Sequence, residues 1–280
     1  MKKPTIAICY DFDKTLSPKN MQEFNFFDDL GYTASEFWDK QDKFVIKNTS
    51  DRMLANMYTM VNEAKKKGII LTKDKLHEYG EKLKLFAGVD TWFERINEYA
   101  KELDVNVEHF IVSSGLKEMI EGSPIAKYFK KIYACSYIYN DKGEPIWPAI
   151  SVNYTNKTQF LYRINKGCLD ETDNSINEML DHENRLVPFE NMIYLGDSET
   201  DIPCMRLVMK SGGKAIGVYR NNPTQKKYLK DLLANNKINY IAEADYSKGK
   251  MLETIVKAII KSDKINFTLK QLSMAQKKSQ

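Results

Sequence analysis

The sequence has few of the side chains that most often hold transition metals or form disulfides. It contains only three histidines and four cysteines in 280 residues. The cysteines lie far apart and form no C-x-x-C pair: Cys9, Cys135, Cys168 and Cys204. This spacing argues against a zinc site and against a disulfide framework, so we expect reduced, buried thiols. The histidines show no metal-ligand spacing either, which disfavours histidine-based catalysis; they are His77, His109 and His182.

Long hydrophobic runs are also missing. No stretch approaches the ~20 consecutive apolar residues that cross a membrane. The first apolar run is too short, and too soon followed by acids, to be the hydrophobic region of a signal peptide. We therefore expect a cytoplasmic protein without a membrane partner.

The sequence lacks a strong excess of charge of either sign. It has 42 lysines and arginines against 38 aspartates and glutamates, for a formal net charge of +4 at pH 7. The two signs are interleaved, and the basic run at residues 65–67 is typical of a solvated helix end. We therefore expect no nucleic-acid partner.

Short apolar runs are present, and they alternate with helical patterns. They cover Thr5–Tyr10 and residues 109–112, 131–135, 192–195, 215–218 and 240–242. Strands that are apolar throughout are typical of a sheet covered on both faces. Alternation with helices indicates βαβ units and a parallel sheet. The sequence thus predicts an α/β fold, a doubly wound three-layer sandwich.

Residues 18–87 interrupt this alternation, because they contain only helical patterns, at residues 21–30, 35–46, 50–67 and 73–85. Asp51 and Thr72 are typical of helix starts. The segment is too long for one crossover connection. We therefore expect an inserted helical cap at residues 18–87, over an α/β core formed by residues 1–17 and 88–262.

Two further segments depart from the alternating pattern. Asn140-Asp141-Lys142-Gly143 predicts a hairpin turn at the edge of the sheet. Residues 263–280 are polar and rich in lysine, so we expect a C-terminal helix or tail there.

The strongest chemical signal is a pair of acids, Asp11 and Asp13, directly after the first predicted strand. Open α/β sheets bind their ligands at the carboxyl ends of strands. Two converging carboxylates repel each other unless a cation or a shared proton relieves them, and a divalent metal is the obvious relief. Taken alone, the same residues also fit a strand that runs into a turn, with Asp13 or Thr15 capping the next helix.

Two other places carry candidate phosphate ligands. Ser113, Ser114 and Gly115 follow a predicted strand, where hydroxyls and backbone N–H groups either hold phosphate oxygens or cap a helix. Lys157 precedes an amphipathic run at residues 159–166. By itself, a lysine in that position is typical of solvated surface.

A second pair of acids follows the predicted strand at residues 192–195. Gly196 permits a tight turn there, and Asp197 and Asp201 flank a helix start four residues apart. Such acids either add oxygen ligands for a hard cation or cap the helix.

In order along the chain, these four loci are D-x-D-x-T, a serine after a strand, a lysine, and G-D-x-x-x-D. Their joint pattern resembles the haloacid dehalogenase superfamily of phosphohydrolases. The helical insertion between the first two motifs is similar in position to the cap of the phosphoserine phosphatase-like branch. The resemblance implies Mg²⁺-dependent hydrolysis of a small phosphorylated metabolite through an aspartyl-phosphate.

The resemblance also implies a role for each residue of the first motif. Asp11 would be the nucleophile that attacks phosphorus. Asp13 would be the general acid that protonates the leaving oxygen, and then the base that activates water. Thr15 would brace the turn.

The remaining motif residues are implied to bind phosphate and metal. The implied phosphate ligands are Ser113, Ser114 and Lys157. The implied Mg²⁺ ligands are Asp11, the main-chain carbonyl of Asp13, and Asp197. Asp201 would be an outer partner or an additional ligand.

The predicted cap departs from the phosphoserine phosphatases at the position where those enzymes carry a glutamate that reads the substrate amino group. Asn20 stands there, with Gln22 and Glu23 nearby, and Arg52 is a candidate anion reader. We therefore treat Asn20, Glu23 and Arg52 as candidate substrate ligands and leave the substrate open.

Alternative functions follow from the same motifs. A phosphotransferase or mutase would use the same aspartyl-phosphate with an alcohol as acceptor. A binding or regulatory module would have lost an essential residue, yet all motif residues are present. The presence of Asp13 disfavours a dehalogenase, because dehalogenation needs no acid that gives a proton to a leaving alkoxide. The sequence leaves the oligomeric state open.

Overall fold

A computed structural model describes residues 3–179 and 185–278 of the chain. Its described residues form one sheet with strand order β4-β3-β2-β1-β5-β6-β7. The strands are β1 (Thr5–Tyr10), β2 (Asn106–Leu116), β3 (Phe129–Tyr139), β4 (Pro145–Ile150), β5 (Met192–Gly196), β6 (Lys214–Tyr219) and β7 (Tyr240–Glu243). All neighbouring strands pair in parallel except β3 and β4, which are antiparallel. His182 lies outside the described residues.

The described α-helices surround this sheet. They are α1 (Asn25–Leu30), α2 (Ala34–Asn48), α3 (Arg52–Lys66), α4 (Lys73–Glu81), α5 (Val89–Glu102), α6 (Lys117–Gly122), α7 (Lys157–Lys166), α8 (Ile202–Lys210), α9 (Pro223–Ala234) and α10 (Met251–Lys278). Helix α5 packs on β2 and on α10, whereas α7 packs on β2 and on α8. The central strand β1 is therefore covered on both faces, and its residues Ile6 to Tyr10 are fully buried.

The connections run in opposite directions from β1. The chain goes from β1 to β2 and β3 on one side, and from β5 to β6 and β7 on the other. This confirms the predicted doubly wound α/β fold. It also places a topological switch point beside β1, where open α/β sheets bind ligands.

The four helices α1 to α4 lie between β1 and β2, and no strand is described within residues 18–87. Thr33 begins α2 with a capping box, and the predicted caps Asp51 and Thr72 begin α3 and α4. One prediction was wrong: residues 21–30 form a 3₁₀ turn, Met21–Glu23, followed by α1. The backbone N–H of Met21 donates to the Asp13 carboxylate at 2.9 Å, which ties this turn to the first motif instead of to a continuous helix.

Two glycines bring α4 against α6 at backbone distance. A Cβ on Gly80 would lie 2.1 Å from the carbonyl oxygen of Met119, and one on Gly122 would lie 2.2 Å from that of His77. Only glycine fits at such a contact. The helical segment is thus fixed tightly to the end of β2 at this point.

The remaining predictions concern the sheet edge, the C-terminal segment and the cysteines. The hairpin is confirmed, because β3 and β4 are antiparallel around a turn in which the Gly143 N–H donates to the Asn140 carbonyl at 2.9 Å. Helix α10 runs unbroken through the predicted boundary at residue 262, and residues 279 and 280 lie outside the described part. All four cysteines are buried and unpaired. Among the described residues, no helix has the length and apolarity that a membrane crossing requires.

Candidate active site

A cavity of about 580 Å³ opens at the switch point, between the carboxyl ends of the central strands and helices α2 and α3. Asp11 follows β1, Ser113 lies in β2 and Asp197 follows β5, and all three line the cavity. The strand pairing continues beyond β1, because the Asp11 N–H donates to the Leu195 carbonyl at 2.9 Å. Parallel strands thus gather residues that are far apart in sequence.

A buried lysine joins two of the predicted acids. Lys157 is the first residue of α7 and is fully buried. Its ammonium donates to Asp11 Oδ1 at 3.1 Å and to Asp201 Oδ1 at 2.8 Å. Burial alone lowers the pKa of Lys157, but the charges of Asp11 and Asp201 raise it above the ordinary lysine value. Lys157 is therefore a permanent cation in the site.

Asp201 is the anchor of this cluster. Besides Lys157, its carboxylate accepts from the Tyr194 hydroxyl at 2.8 Å and from the Asp197 N–H at 3.2 Å. A Cβ on Gly196 would lie 2.5 Å from Asp201 Cγ, so only glycine fits there. The glycine of the G-D-x-x-x-D motif thus makes room for the second acid.

Asp13 faces the cavity from the turn after β1. The Met21 N–H donates to its carboxylate, and the missing side chain of Gly115 leaves space for Met21, whose Cε would lie 2.1 Å from a Cβ there. Burial, and then the charge of Asp11, raise the pKa of Asp13 well above its usual range. Asp13 therefore gives up its proton less readily than an exposed aspartate does.

Asp197 lines the cavity beside Asp11. Gln225, at the start of α9, donates to its Oδ2 at 3.0 Å and to its main-chain oxygen at 3.2 Å. Burial, with the charges of Asp201 and Asp11, raises the pKa of Asp197 to about 8. Burial also raises the pKa of Asp11, to about 6, although Lys157 opposes this shift.

These raised pKa values reflect an excess of buried negative charge. One ligand oxygen each from Asp11, Asp197 and Asp201 lies within 4.8 Å of the others, whereas Lys157 is the only cation that forms an ion pair with these acids within the described part of the chain. Carboxylate oxygens at this spacing are the ligands that hard divalent cations prefer. Since Asp201 already accepts from Lys157, Tyr194 and a backbone N–H, Asp11 and Asp197 are the carboxylates better placed to bind a cation directly. The donor set therefore fits Mg²⁺.

The predicted phosphate ligands lie at the same cavity. Ser113 is fully buried, and its Oγ accepts from the Gly115 N–H at 3.2 Å. Ser114 and Lys157 also line the cavity. The structure thus brings Ser113, Ser114 and Lys157 together with the four acids.

Thr15 is fully buried in the turn below the cavity. Its carbonyl accepts from the Tyr246 hydroxyl at 2.8 Å, and its N–H donates to the Phe12 carbonyl at 3.2 Å. Its own hydroxyl has no hydrogen-bond partner in the described ranges, residues 3–179 and 185–278. Backbone contacts, not the side chain that the motif specifies, hold this turn.

The candidate substrate ligands line the cavity on the side of the helical segment. Asn20 donates to Glu23, and Trp38 Nε1 also donates to Glu23, at 3.3 Å. Arg52 lines the cavity while paired with Asp42, and its side chain is 58% exposed. The structure thus places Asn20, Glu23 and Arg52 at one opening.

Sequence reasoning missed four residues of the site: Tyr194, Gln225, Gln41 and Asn56. The polar Gln41 and Asn56 are buried on α2 and α3, so an uncharged polar residue on the inner face of an amphipathic helix was the available signal. Tyr194 precedes a motif glycine at a buried strand position. Gln225 has no local signal, because only the packing of α9 brings it to Asp197.

Comparison with known proteins places this geometry in a known fold. No family model matches the sequence. A HAD family hydrolase of Salmonella enterica serovar Typhi superposes with a TM-score of 0.56 at 16% identity, over 86% of this chain and 67% of that one. A phospho-aspartyl intermediate analogue of phosphoserine phosphatase gives 0.55 at 16% identity, over 92% and 99%. A probable phosphoserine phosphatase of Vibrio cholerae gives 0.56 at 11% identity, over 94% and 67%.

A relative in sequence is an uncharacterized protein of Borreliella burgdorferi, 32% identical over 88% of this chain and 93% of that protein. The solved structures are too distant in sequence to show more than a shared fold. The predicted resemblance to the haloacid dehalogenase superfamily is confirmed at that level. The chain therefore has the haloacid dehalogenase fold of the phosphoserine phosphatase type, and it belongs to one family with the Borreliella burgdorferi protein.

Proposed function

We propose that this protein is a Mg²⁺-dependent phosphomonoester hydrolase that works through an aspartyl-phosphate on Asp11. The observation that carries the proposal is the ammonium of Lys157, which is buried and bonded to both Asp11 and Asp201 at the switch point. A cation held beside a carboxylate nucleophile lowers the repulsion between that nucleophile and a dianionic ester. The phosphoserine phosphatases among the similar structures support the same chemistry.

In the first step, a carboxylate oxygen of Asp11 attacks phosphorus, and the bond from phosphorus to the ester oxygen breaks. Asp13 gives its proton to the leaving oxygen, so an alcohol departs. The raised pKa of Asp13 supports this role, because a general acid must hold its proton at the working pH.

In the second step, Asp13, now ionised, takes a proton from water while the water oxygen attacks phosphorus. The bond from phosphorus to Asp11 breaks, which releases phosphate and restores both acids. Splitting the displacement into two steps is the usual advantage of covalent catalysis. Ser113, Ser114 and Lys157 bind the phosphoryl oxygens throughout.

Asp11, Asp197 and the main-chain carbonyl of Asp13 would hold Mg²⁺, with Asp201 as an outer partner. The ion supplies charge neutralisation for the ester and for Asp11. Residues 18–87 would form the cap that excludes water over the core of residues 1–17 and 88–262.

The test is phosphate release from 4-nitrophenyl phosphate, with Mg²⁺ and with a chelator. We expect turnover that needs Mg²⁺ and is lost in Asp11→Asn. Asp141→Asn, an exposed acid in the hairpin turn, is the matched control and should keep full activity. Turnover that persists in Asp11→Asn, or its absence from the unaltered protein, would overturn the proposal. Added acceptor alcohols distinguish hydrolysis from phosphoryl transfer, since transfer to an alcohol gives a new phosphate ester.

A further inference from the structure

The cavity has a second wall, formed by the helical segment, whose polar groups are unusual. Gln22, Gln41 and Asn56 are 2%, 3% and 8% exposed. Their side-chain oxygens are buried and have no hydrogen-bond partner among the residues that the structure describes, and all three residues line the cavity. We call these three residues the carboxamide set.

The carboxamide set comes from three separate elements. Gln22 lies in the 3₁₀ turn after the first motif, Gln41 on α2 and Asn56 on α3. Trp38 lies three residues before Gln41, so helical spacing puts both on one face, and Trp38 also lines the cavity. Three elements thus present amides to the same space.

Buried polar atoms without partners destabilise a protein and are rare in native structures. Three of them around one cavity indicate groups that a ligand satisfies. A carboxamide carries both a donor and an acceptor, and so does a hydroxyl group. A neutral ligand with several hydroxyls is therefore the chemical match.

The charged residues of this wall are already engaged. Arg52 is paired with Asp42, and no other arginine or lysine of residues 18–87 lines the cavity. Residues 18–87 thus offer the cavity no unpaired cation for a substrate carboxylate, such as that of phosphoserine. The other cations that line it, Lys14 and Lys157, act on the acids of the opposite side. Glu23 accepts from the neutral donors Asn20 and Trp38.

We propose that the substrate is a phosphorylated polyol or sugar, whose hydroxyl groups bind to Gln22, Gln41 and Asn56 while its phosphate meets Asp11. This inference rests on the proposed function and names its substrate class. A cavity of about 580 Å³ has room for a ligand of this size.

The test compares kcat/KM among phosphate esters in the presence of Mg²⁺. The panel contains sorbitol 6-phosphate, glucose 6-phosphate, 2-deoxyglucose 6-phosphate, phosphoserine, phosphoethanolamine and 4-nitrophenyl phosphate. We expect a polyol or sugar phosphate to exceed phosphoserine and phosphoethanolamine by about 100-fold. We also expect kcat/KM to fall by about tenfold or more when a bound hydroxyl is missing, as in 2-deoxyglucose 6-phosphate, since the amide that would bind this hydroxyl is then unpaired.

Asn56→Leu tests the carboxamide set directly, because it keeps the size of the side chain and removes its amide. Its kcat/KM for the preferred polyol phosphate, divided by that for 4-nitrophenyl phosphate, should fall by about tenfold or more. Asn62→Leu is the matched control on the same helix, since Asn62 does not line the cavity. This control should leave the ratio unchanged.

The outcomes separate the two proposals. Hydrolysis of 4-nitrophenyl phosphate without a preference for polyol phosphates overturns only the substrate class. A preference for phosphoserine or phosphoethanolamine also overturns this substrate class, and indicates instead that Glu23 binds a substrate amine. Equal ratios in Asn56→Leu and Asn62→Leu overturn the role of the carboxamide set. No hydrolysis of any ester overturns the proposed function and, with it, this inference.

Discussion

On one wall of the cavity, every acid has a hydrogen-bond partner, whereas on the opposite wall the oxygens of three buried amides have none within the described chain. The first wall consists of Asp11, Asp13, Lys157 and Asp197, which line the cavity. Together with Asp201, which lies behind them and bonds to Lys157, we call it the core-side wall, and each of its acids accepts a hydrogen bond from within the protein. The second is the carboxamide set. All of these residues except the half-buried Asp13 are buried, so solvent does not explain the difference.

The contrast teaches which side chains of the site already have hydrogen-bond partners before a substrate binds. Charges that act on a reacting phosphate must be held in place before the reaction, because reorientation during the reaction would cost free energy. Groups that recognise a substrate gain selectivity by remaining unpaired until the right ligand arrives. The predictions below test this contrast, beginning with the largest expected effect.

Asp11→Asn should abolish turnover on the core-side wall. Loss of a nucleophile that acts as a unit with its neighbours typically costs on the order of 10⁴-fold or more in kcat. The measurement is phosphate release from 4-nitrophenyl phosphate, with circular dichroism to show that the variant is folded. A fall of less than tenfold would remove Asp11 from the role of nucleophile.

Lys157→Met should strongly destabilise the protein, because Asp11 and Asp201 would remain buried without their cation. Removing one partner of a buried ion pair costs about 3–5 kcal/mol. Urea unfolding measures this loss, and Lys142→Met, at an exposed turn position, is the control. In Lys157→Met/Asp201→Asn, part of the loss should be recovered, since one stranded charge is gone. Additive losses would show that the two side chains are not coupled.

Gly196→Ala should displace Asp201, because the new methyl group would lie 2.5 Å from its Cγ. We expect the free energy of unfolding to fall by about 3 kcal/mol, as in other overpacked sites. Gly68→Ala provides the comparison: its φ is positive at +72°, unlike that of Gly196, but nothing lies within 4 Å, so only about 1 kcal/mol of backbone strain is expected. Equal losses in the two variants would contradict the close approach at Gly196.

A third buried network, which belongs to neither wall, predicts how the stability of the protein depends on pH. Trp92 donates to the Tyr10 oxygen, and His109 bonds Tyr10 and Asn97 through its two nitrogens, at 3.0 Å each. Burial lowers the pKa of His109 to about 3. Since the unfolded chain binds a proton near pH 6.5, stability due to His109 is full above that pH and falls as the pH drops towards 3.

This histidine should contribute a slope of at most ~1.4 kcal/mol per pH unit in that window. His109→Gln should reduce the slope of the free energy of unfolding against pH by up to ~1.4 kcal/mol per pH unit, which corresponds to one proton. Urea unfolding between pH 4 and 7 measures this slope. An unchanged slope would mean that His109 titrates equally in both states.

Gln41→Met should have the smallest effect and the opposite sign. Methionine is close to glutamine in size and removes an unpaired buried amide, so the free energy of unfolding should rise by about 1 kcal/mol. Urea unfolding measures the change. A loss of stability instead would show that Gln41 already has a partner in the free protein, which would break the contrast between the two walls.

The sequence predicted the core-side wall better than the opposite one for a physical reason. Asp11 and Asp197 each follow a buried strand, Ser113 lies directly after the apolar run of β2, and such short apolar runs can be located in the sequence. Lys157 had no such local support, and only its order among the other motifs singled it out. Gln225 and Tyr194 were missed because their contact with the acids depends on how distant segments pack.

On the opposite wall, the sequence indicated the helices but not which of their faces meets the cavity. Phe26 and Phe27 are buried in the core, whereas Trp38 of the same segment reaches the cavity. The break at Phe24 was also missed, because the hydrogen bond from Met21 to Asp13 that fixes this turn joins two separate parts of the chain.

By itself, the sequence determined the doubly wound sheet and the order of the acids along it, since hydrophobic periodicity and turn residues act locally. Only the tertiary structure decided which of these groups are paired. Whether a buried charge or amide has a partner depends on distances between elements that are remote in sequence, such as β1, α7 and the turn before α8. The same pairing separates the groups that the fold satisfies from those left for a ligand.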